Sequence, residues 1–217
     1  MNTAQRIAEA VDRHLAEKTE IIVFGSAALL LDPHCAQHLT VRVTNDVDII
    51  IPAEREVKVD ADRGFWKAIE SANKELEPEG LYITHIFPER EVTLTPEWKQ
   101  HTVLLETPDL EKLRVSRPRV LDLVISKMGR GDAQDLEDVH GLLRLEHKMT
   151  GKTITAAEVQ AAAERARVPP VYREIFPEAR RRIVAVALEV ERALTIRPAL
   201  VIPPPEEKHK QSRGIRP

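Results

Sequence analysis

Three consecutive isoleucines, Ile49, Ile50 and Ile51, follow two aspartates set one residue apart in the run RVTNDVDIII. A β-branched apolar run closed by Pro52 reads as a strand of a buried sheet. Side chains alternate across a strand, so Arg42, Thr44, Asp46 and Asp48 share one face. Val41, Val43, Val47 and Ile49 take the other, with Asn45 as the polar interruption. Two like charges at the start of a buried strand are costly to desolvate unless something positive meets them. On an extended strand their Cα atoms lie about 6.6 Å apart, and two carboxylates so spaced can converge on one hard cation or bridge two. A solvent-facing edge strand carries Asp-x-Asp at no cost, so the pair alone leaves both readings open.

The rest of the chain supplies a sheet first and helices afterwards. IIVFG (21–25), LYITHIF (81–87), HTVLLE (101–106) and KLRVS (112–116) read as further strands beside 39–51. Helices are expected over 3–17, capped by Thr3, and over 65–76, with a polar stretch after Pro52. From Arg117 the texture turns helical. Pro118 suits a first helical turn, a Gly-Arg-Gly break follows, Thr155 and Glu158 form a capping box, and Pro177 starts the last helix. This pattern predicts an α+β fold: a small mixed sheet flanked by helices over 1–116, a helical C-terminal part over 117–196, and a disordered tail over 197–217 rich in Pro and charge.

What sits upstream of the aspartates narrows the chemistry. The first strand ends at Gly25-Ser26 and runs straight into a helix. Glycine permits close backbone approach, and a helix start offers free N–H groups to a phosphate. Ser26 can hydrogen-bond a phosphate oxygen or serve as an ordinary N-cap. Strand, Gly-Ser, helix, then a strand with Asp-x-Asp resembles the polymerase-β-like nucleotidyltransferase superfamily, whose signature falls here on FGS (24–26) and DVD (46–48). The fuller RVTNDVDI is similar to the abortive-infection-type toxins of bacterial toxin–antitoxin systems, small nucleotidyltransferases whose characterised relatives move a nucleotide from an NTP to tRNA. YITHIFPEREVTLTPEW looks like a poorly characterised bacterial branch of the same group, and the resemblance covers roughly residues 20–145.

The resemblance implies roles for particular residues. Asp46 and Asp48 would hold Mg²⁺ or Mn²⁺; Gly25, Ser26, Arg42 and Thr44 would bind the nucleotide. Lys127 lies on the apolar stripe of its helix with Val120, Leu123 and Val124, where a lysine either snorkels to water or meets an anion. In the toxin-like families such a lysine is followed by a basic residue and Asp-x-x-Asp. Here the run is KMGRGDAQDLEDV, with Gln134 in the basic position and Arg130 available to supply the charge. By that match Lys127 would contact triphosphate oxygens, and Asp135 would act as a base or position the lysine. Asp138 would support it, although acids in a first helical turn are also favoured by the helix dipole. The superfamily's third carboxylate has no counterpart on 81–87. His85 is the polar candidate there, with Glu89 and Glu91 beyond.

Composition bounds the function. A net charge of -3 excludes a protein that coats nucleic acid by bulk electrostatics, while Arg180–Arg182, with Arg165 and Arg167, offers a local RNA contact or a solvated helix face. One cysteine, Cys35, precludes an internal disulfide and suits a reducing, cytoplasmic setting; it reads as a packed thiol. No apolar run approaches the roughly 20 residues of a membrane span, and no signal segment is evident. The expected activity is metal-dependent nucleotidyl transfer from an NTP to an acceptor, a tRNA end first and a protein hydroxyl second, with an antitoxin protein as a further partner. The alternative is an inactive relative that binds a nucleotide or a partner.

Overall fold

The computed structural model describes residues 2–37 and 44–195. Its strands are β1 (Thr19–Phe24), β2 (Asp46–Ile51), β3 (Tyr82–Pro88), β4 (Val103–Leu104) and β5 (Leu113–Arg117). They form one mixed sheet in the order β3-β2-β1-β5-β4. β1 runs antiparallel to β2 and parallel to β5, while β2 and β3 are parallel. Helices flank the sheet and fill the C-terminal part, as the α+β reading expects. The segment 38–43, and with it Arg42, lies outside the described residues, as does the expected tail from 197 onward.

The two faces of β2 meet different neighbours. Val47 and Ile49 enter the main core, which runs continuously from Ile7 to Ile183 and so spans both the sheet and the C-terminal helices. Ile50 lies on the opposite face, the face of Asp46 and Asp48, and packs with Val92, Leu94 and Trp98 of a strap that crosses it. The aspartates therefore do not lie on an open sheet surface. Trp98 is buried, and Thr95 donates to the fully buried Asp122, which pins the strap to the helix α6 (Val120–Ser126).

Local chemistry sets several element ends differently from the sequence reading. α1 (Thr3–His14) is capped by Asn2 in a reciprocal capping box with Gln5, not by Thr3. Thr3, freed from that role, donates to the carbonyl of Thr44 at the entry to β2. Pro118 stands before α6 rather than in its first turn, because Arg117 remains extended as the last residue of β5 and Arg119 takes the cap position. The polar stretch after Pro52 is helical: α4 (Ala53–Ala61) buries no residue, so it carries no apolar stripe by which to be read.

Between β1 and β2 the described residues form two short helices, α2 (Gly25–Leu31) and α3 (Pro33–Ala36), and after β2, α4 leads to α5 (Arg63–Leu76). After α6 a 3-10 turn over Lys127–Gly129 leads to α7 (Ala133–Thr150). Asp132 caps α7 by accepting from the amide of Asp135. α8 (Ala156–Arg165) opens with the expected capping box, and α9 (Phe176–Thr195) packs along α7 and α8.

Candidate active site

The first corner of the site is built by backbone register. β1 pairs with β2 so that Phe24, its last residue, stands opposite Asp48. Gly25 follows with φ +67°, and a Cβ placed on it would lie 3.3 Å from Asp48 Oδ2. Only glycine takes that conformation routinely, and here it also makes room for the carboxylate. α2 then starts without a side-chain cap. Ser26 is its second residue, not its N-cap, so the N-cap alternative for its hydroxyl falls away.

The second feature is a cluster of three possible ligands. Ligand atoms of Asp46, Asp48 and His85 all lie within 4.8 Å of one another. The Oγ1 of Thr44 donates to Asp46 Oδ1 at 2.8 Å and so orients that carboxylate. Asp48 Oδ1 is buried without a hydrogen bond and faces His85 Nδ1 at 3.3 Å. Burial and the neighbouring charge of Asp46 push the Asp48 carboxyl up from its ordinary value, against the opposing pull of His85 and Lys127. Two neighbouring carboxylates and an imidazole, with donor atoms all within 4.8 Å of one another, are a donor set that a divalent cation relieves of like-charge repulsion, so these residues fit one.

Of the sequence candidates for a third ligand, the structure brings His85 to the aspartates. Glu91 lines a cavity together with Asp46, Asp48 and His85. Glu89 is buried elsewhere, paired with Lys99 at 3.2 Å and Arg167 at 3.2 Å.

The third feature is a clamp around a cation. Lys127 caps the end of α6 and reaches Asp138 Oδ2 at 2.6 Å and Asp135 Oδ1 at 3.2 Å. Arg130 also grips Asp135, with its Nη2 3.0 Å from Oδ1. Burial pushes the Asp135 carboxyl up, but Arg130 and Lys127 outweigh it and hold the group below its ordinary value. Asp135 thus stays ionised and positions two cations. Asp138 is more than a dipole-complementing acid, since it is the nearer of the two carboxylates to Lys127 Nζ. Arg130 supplies the charge that Gln134 does not.

These parts surround one cavity of about 310 Å³, lined by Gly25, Asp46, Asp48, His85, Lys127 and Tyr172 among others. Gly25 and Lys127 also line a larger adjoining cavity of about 660 Å³, whose far wall is α7 with His140 and Arg144.

A family model described as "Nucleotidyltransferase of unknown function (DUF6036)" matches residues 2–147. The chain belongs to this family. No curated protein and no solved structure matches the chain. In this nucleotidyltransferase the matched span contains every cavity residue named so far except Tyr172, and it ends within α7.

Neighbouring residues bear on two further sequence readings. Of the arginines offered for RNA, Arg165 pairs with Glu97, Arg167 with Glu89 and Arg181 with Glu178 while their side chains stay 51%, 61% and 76% exposed, and Arg182 donates to the carbonyl of Gly131. Cys35 is fully buried, and burial raises its thiol to about 12, which fits a packed, inert side chain. Among the described residues no helix is long and apolar enough to cross a membrane.

Proposed function

We propose that the protein transfers a nucleoside monophosphate from an NTP to an acceptor hydroxyl, in the manner of the abortive-infection-type toxin branch. The observation that carries this reading is the meeting of Asp46, Asp48, Gly25 and Lys127 in one cavity of a nucleotidyltransferase-family chain, with Ser26 on the adjoining cavity that Gly25 and Lys127 also line. Asp46 and Asp48 hold a divalent cation, Mg²⁺ or Mn²⁺, with Thr44 fixing the first carboxylate. When bound, such a cation neutralises phosphate charge and favours the ionised form of an attacking hydroxyl. Gly25 and Ser26 receive phosphate oxygens through their backbone and the serine hydroxyl. Lys127, held by Asp135 and Asp138, places a fixed positive charge where charge develops on the phosphates. The acceptor hydroxyl gives up its proton to solvent as its oxygen attacks the α-phosphorus, the bond to the bridging oxygen breaks, and pyrophosphate leaves with that electron pair. A tRNA end is the leading acceptor and a protein hydroxyl the second, with an antitoxin protein as a regulatory partner.

A second reading, an inactive relative that binds nucleotide or a partner, draws on one observation: a histidine stands where the superfamily's third carboxylate is expected. Incubation with each labelled NTP, divalent cation and total RNA separates the two. Label transferred to RNA and lost in Asp46→Ala supports the enzyme. Nucleotide binding with no label transferred to RNA or protein supports the second reading and overturns the first.

A further inference from the structure

The pairing of β2 with β3 slips by one residue at the site. Asp46 stands opposite Tyr82 and Val47 opposite Ile83, but Asp48 stands opposite His85, leaving Thr84 as the extra residue of a β-bulge. In an unslipped register residue 84 would oppose Asp48, and His85 would oppose Ile49 on the core-facing side. The bulge therefore moves an imidazole from the core side to the carboxylate side. Bulges interrupt a ladder, and they concentrate where a side chain must be re-aimed.

The re-aimed ring is also braced. His85 stacks on Phe87 with ring centroids 5.2 Å apart and planes at 12°, and Phe87 meets Phe24 edge-on at 5.7 Å. Neighbouring ligands of one octahedral ion stand about 3 Å apart when each bond is about 2.1 Å. The 3.3 Å between His85 Nδ1 and Asp48 Oδ1 suits such a pair.

We propose that His85 is a nitrogen ligand of the cation held by Asp46 and Asp48, and that this two-carboxylate, one-imidazole site selects Mn²⁺ over Mg²⁺. Mg²⁺ is a hard cation that takes oxygen donors, whereas imidazole suits first-row transition ions. The inference rests on the metal-binding role given to the aspartates above and goes further, to the identity of the third ligand and of the ion.

The test uses the full chain stripped of metal, titrated with Mn²⁺ alone and then with Mg²⁺ as competitor. Bound Mn²⁺ is read by electron paramagnetic resonance, and nitrogen ligation by ¹⁴N modulation of the electron spin echo. The wild type should show ¹⁴N coupling and resist displacement by equimolar Mg²⁺. His85→Ala should lose the coupling and weaken Mn²⁺ binding by about tenfold or more. His85→Asp, which restores an all-oxygen set, should bind without the coupling and narrow the preference for Mn²⁺. The His85 side chain is 56% exposed, so neither change threatens the core, and circular dichroism checks the fold. Mn²⁺ bound without ¹⁴N coupling, or binding unchanged in His85→Ala, overturns the proposal and leaves nucleotide transfer standing. Coupling present in a protein that transfers no nucleotide would instead overturn the function above and leave this site intact. Failure of the wild type to bind Mn²⁺ overturns the proposal and leaves transfer supported by Mg²⁺ to the labelled-NTP assay.

Discussion

Gly25 leaves open the space beside Asp48, since a Cβ on the first would stand 3.3 Å from Oδ2 of the second. The phosphate turn and the acidic strand are thus one construction, and a methyl group at residue 25 disturbs both. Gly25→Ala meets two penalties: a left-handed conformation, which costs about 1–2 kcal/mol for an L-residue, and displacement of a carboxylate. We expect a stability loss of that size in urea denaturation. Nucleotide transfer should fall by about tenfold or more, well beyond what the lost stability explains at 25 °C. A variant with normal transfer would separate the turn from the site.

Lys127 is 14% exposed and flanked by Asp135 and Asp138, which are nearly sealed from water. Removing one partner of a buried ion pair leaves charge without compensation and costs about 3–5 kcal/mol. Lys127→Met should therefore destabilise the protein by roughly that amount as well as abolish transfer. Adding Asp138→Asn should recover part of the stability and none of the activity, because the second change removes stranded charge but restores no cation. Urea denaturation of the single and double variants, with a transfer assay, checks both halves. Equal stability of the two variants would count against Asp138 as the principal partner.

Much of this arrangement was legible in the chain, for physical reasons that differ by element. β2 declared itself through Ile49–Ile51, and the glycine turn through its place between an apolar strand and an apolar helix, because both signals are local. Lys127 was visible as a charge on an apolar stripe. α4 was invisible because it buries nothing and so has no periodic signature. His85 could be named as a polar residue on β3, yet alternation alone sets it opposite Ile49; the register slip at Thr84 that turns it toward Asp48 is a property of two strands together. Glu89 illustrates the converse, since only the tertiary approach of Lys99 and Arg167 diverts it from the site.

The clamp also predicts an acid response. Asp135 has its carboxyl held below the ordinary value of 3.8 by Arg130 and Lys127, despite burial. A lowered folded-state value means stability that is fully present above the unfolded value and lost as pH falls through the folded one. Urea denaturation between pH 7 and pH 2 should show the wild type losing stability below about pH 4. Asp135→Asn, less stable at neutrality, should lose less over the same interval. Parallel profiles for the two proteins would show that the clamp does not carry this linkage.

Asp48 is expected to behave in the opposite sense. Its carboxyl is pushed up by burial and by Asp46, so its contribution to stability is greatest below 3.8 and is lost as pH rises through the folded-state value. Without metal, burial and the neighbouring charge of Asp46 oppose ionisation of Asp48, and Asp48→Asn should raise the melting temperature above that of the wild type. Added divalent cation should reverse the order: it stabilises the wild type by binding the folded state and leaves the variant nearly unmoved. Transfer by the variant should fall by about a hundredfold or more, in line with losing a principal electrostatic element of an active site. Thermal melts in EDTA and in millimolar Mn²⁺ check the crossing. A variant less stable than the wild type in EDTA would show that Asp48 is a structural acid, satisfied without a cation.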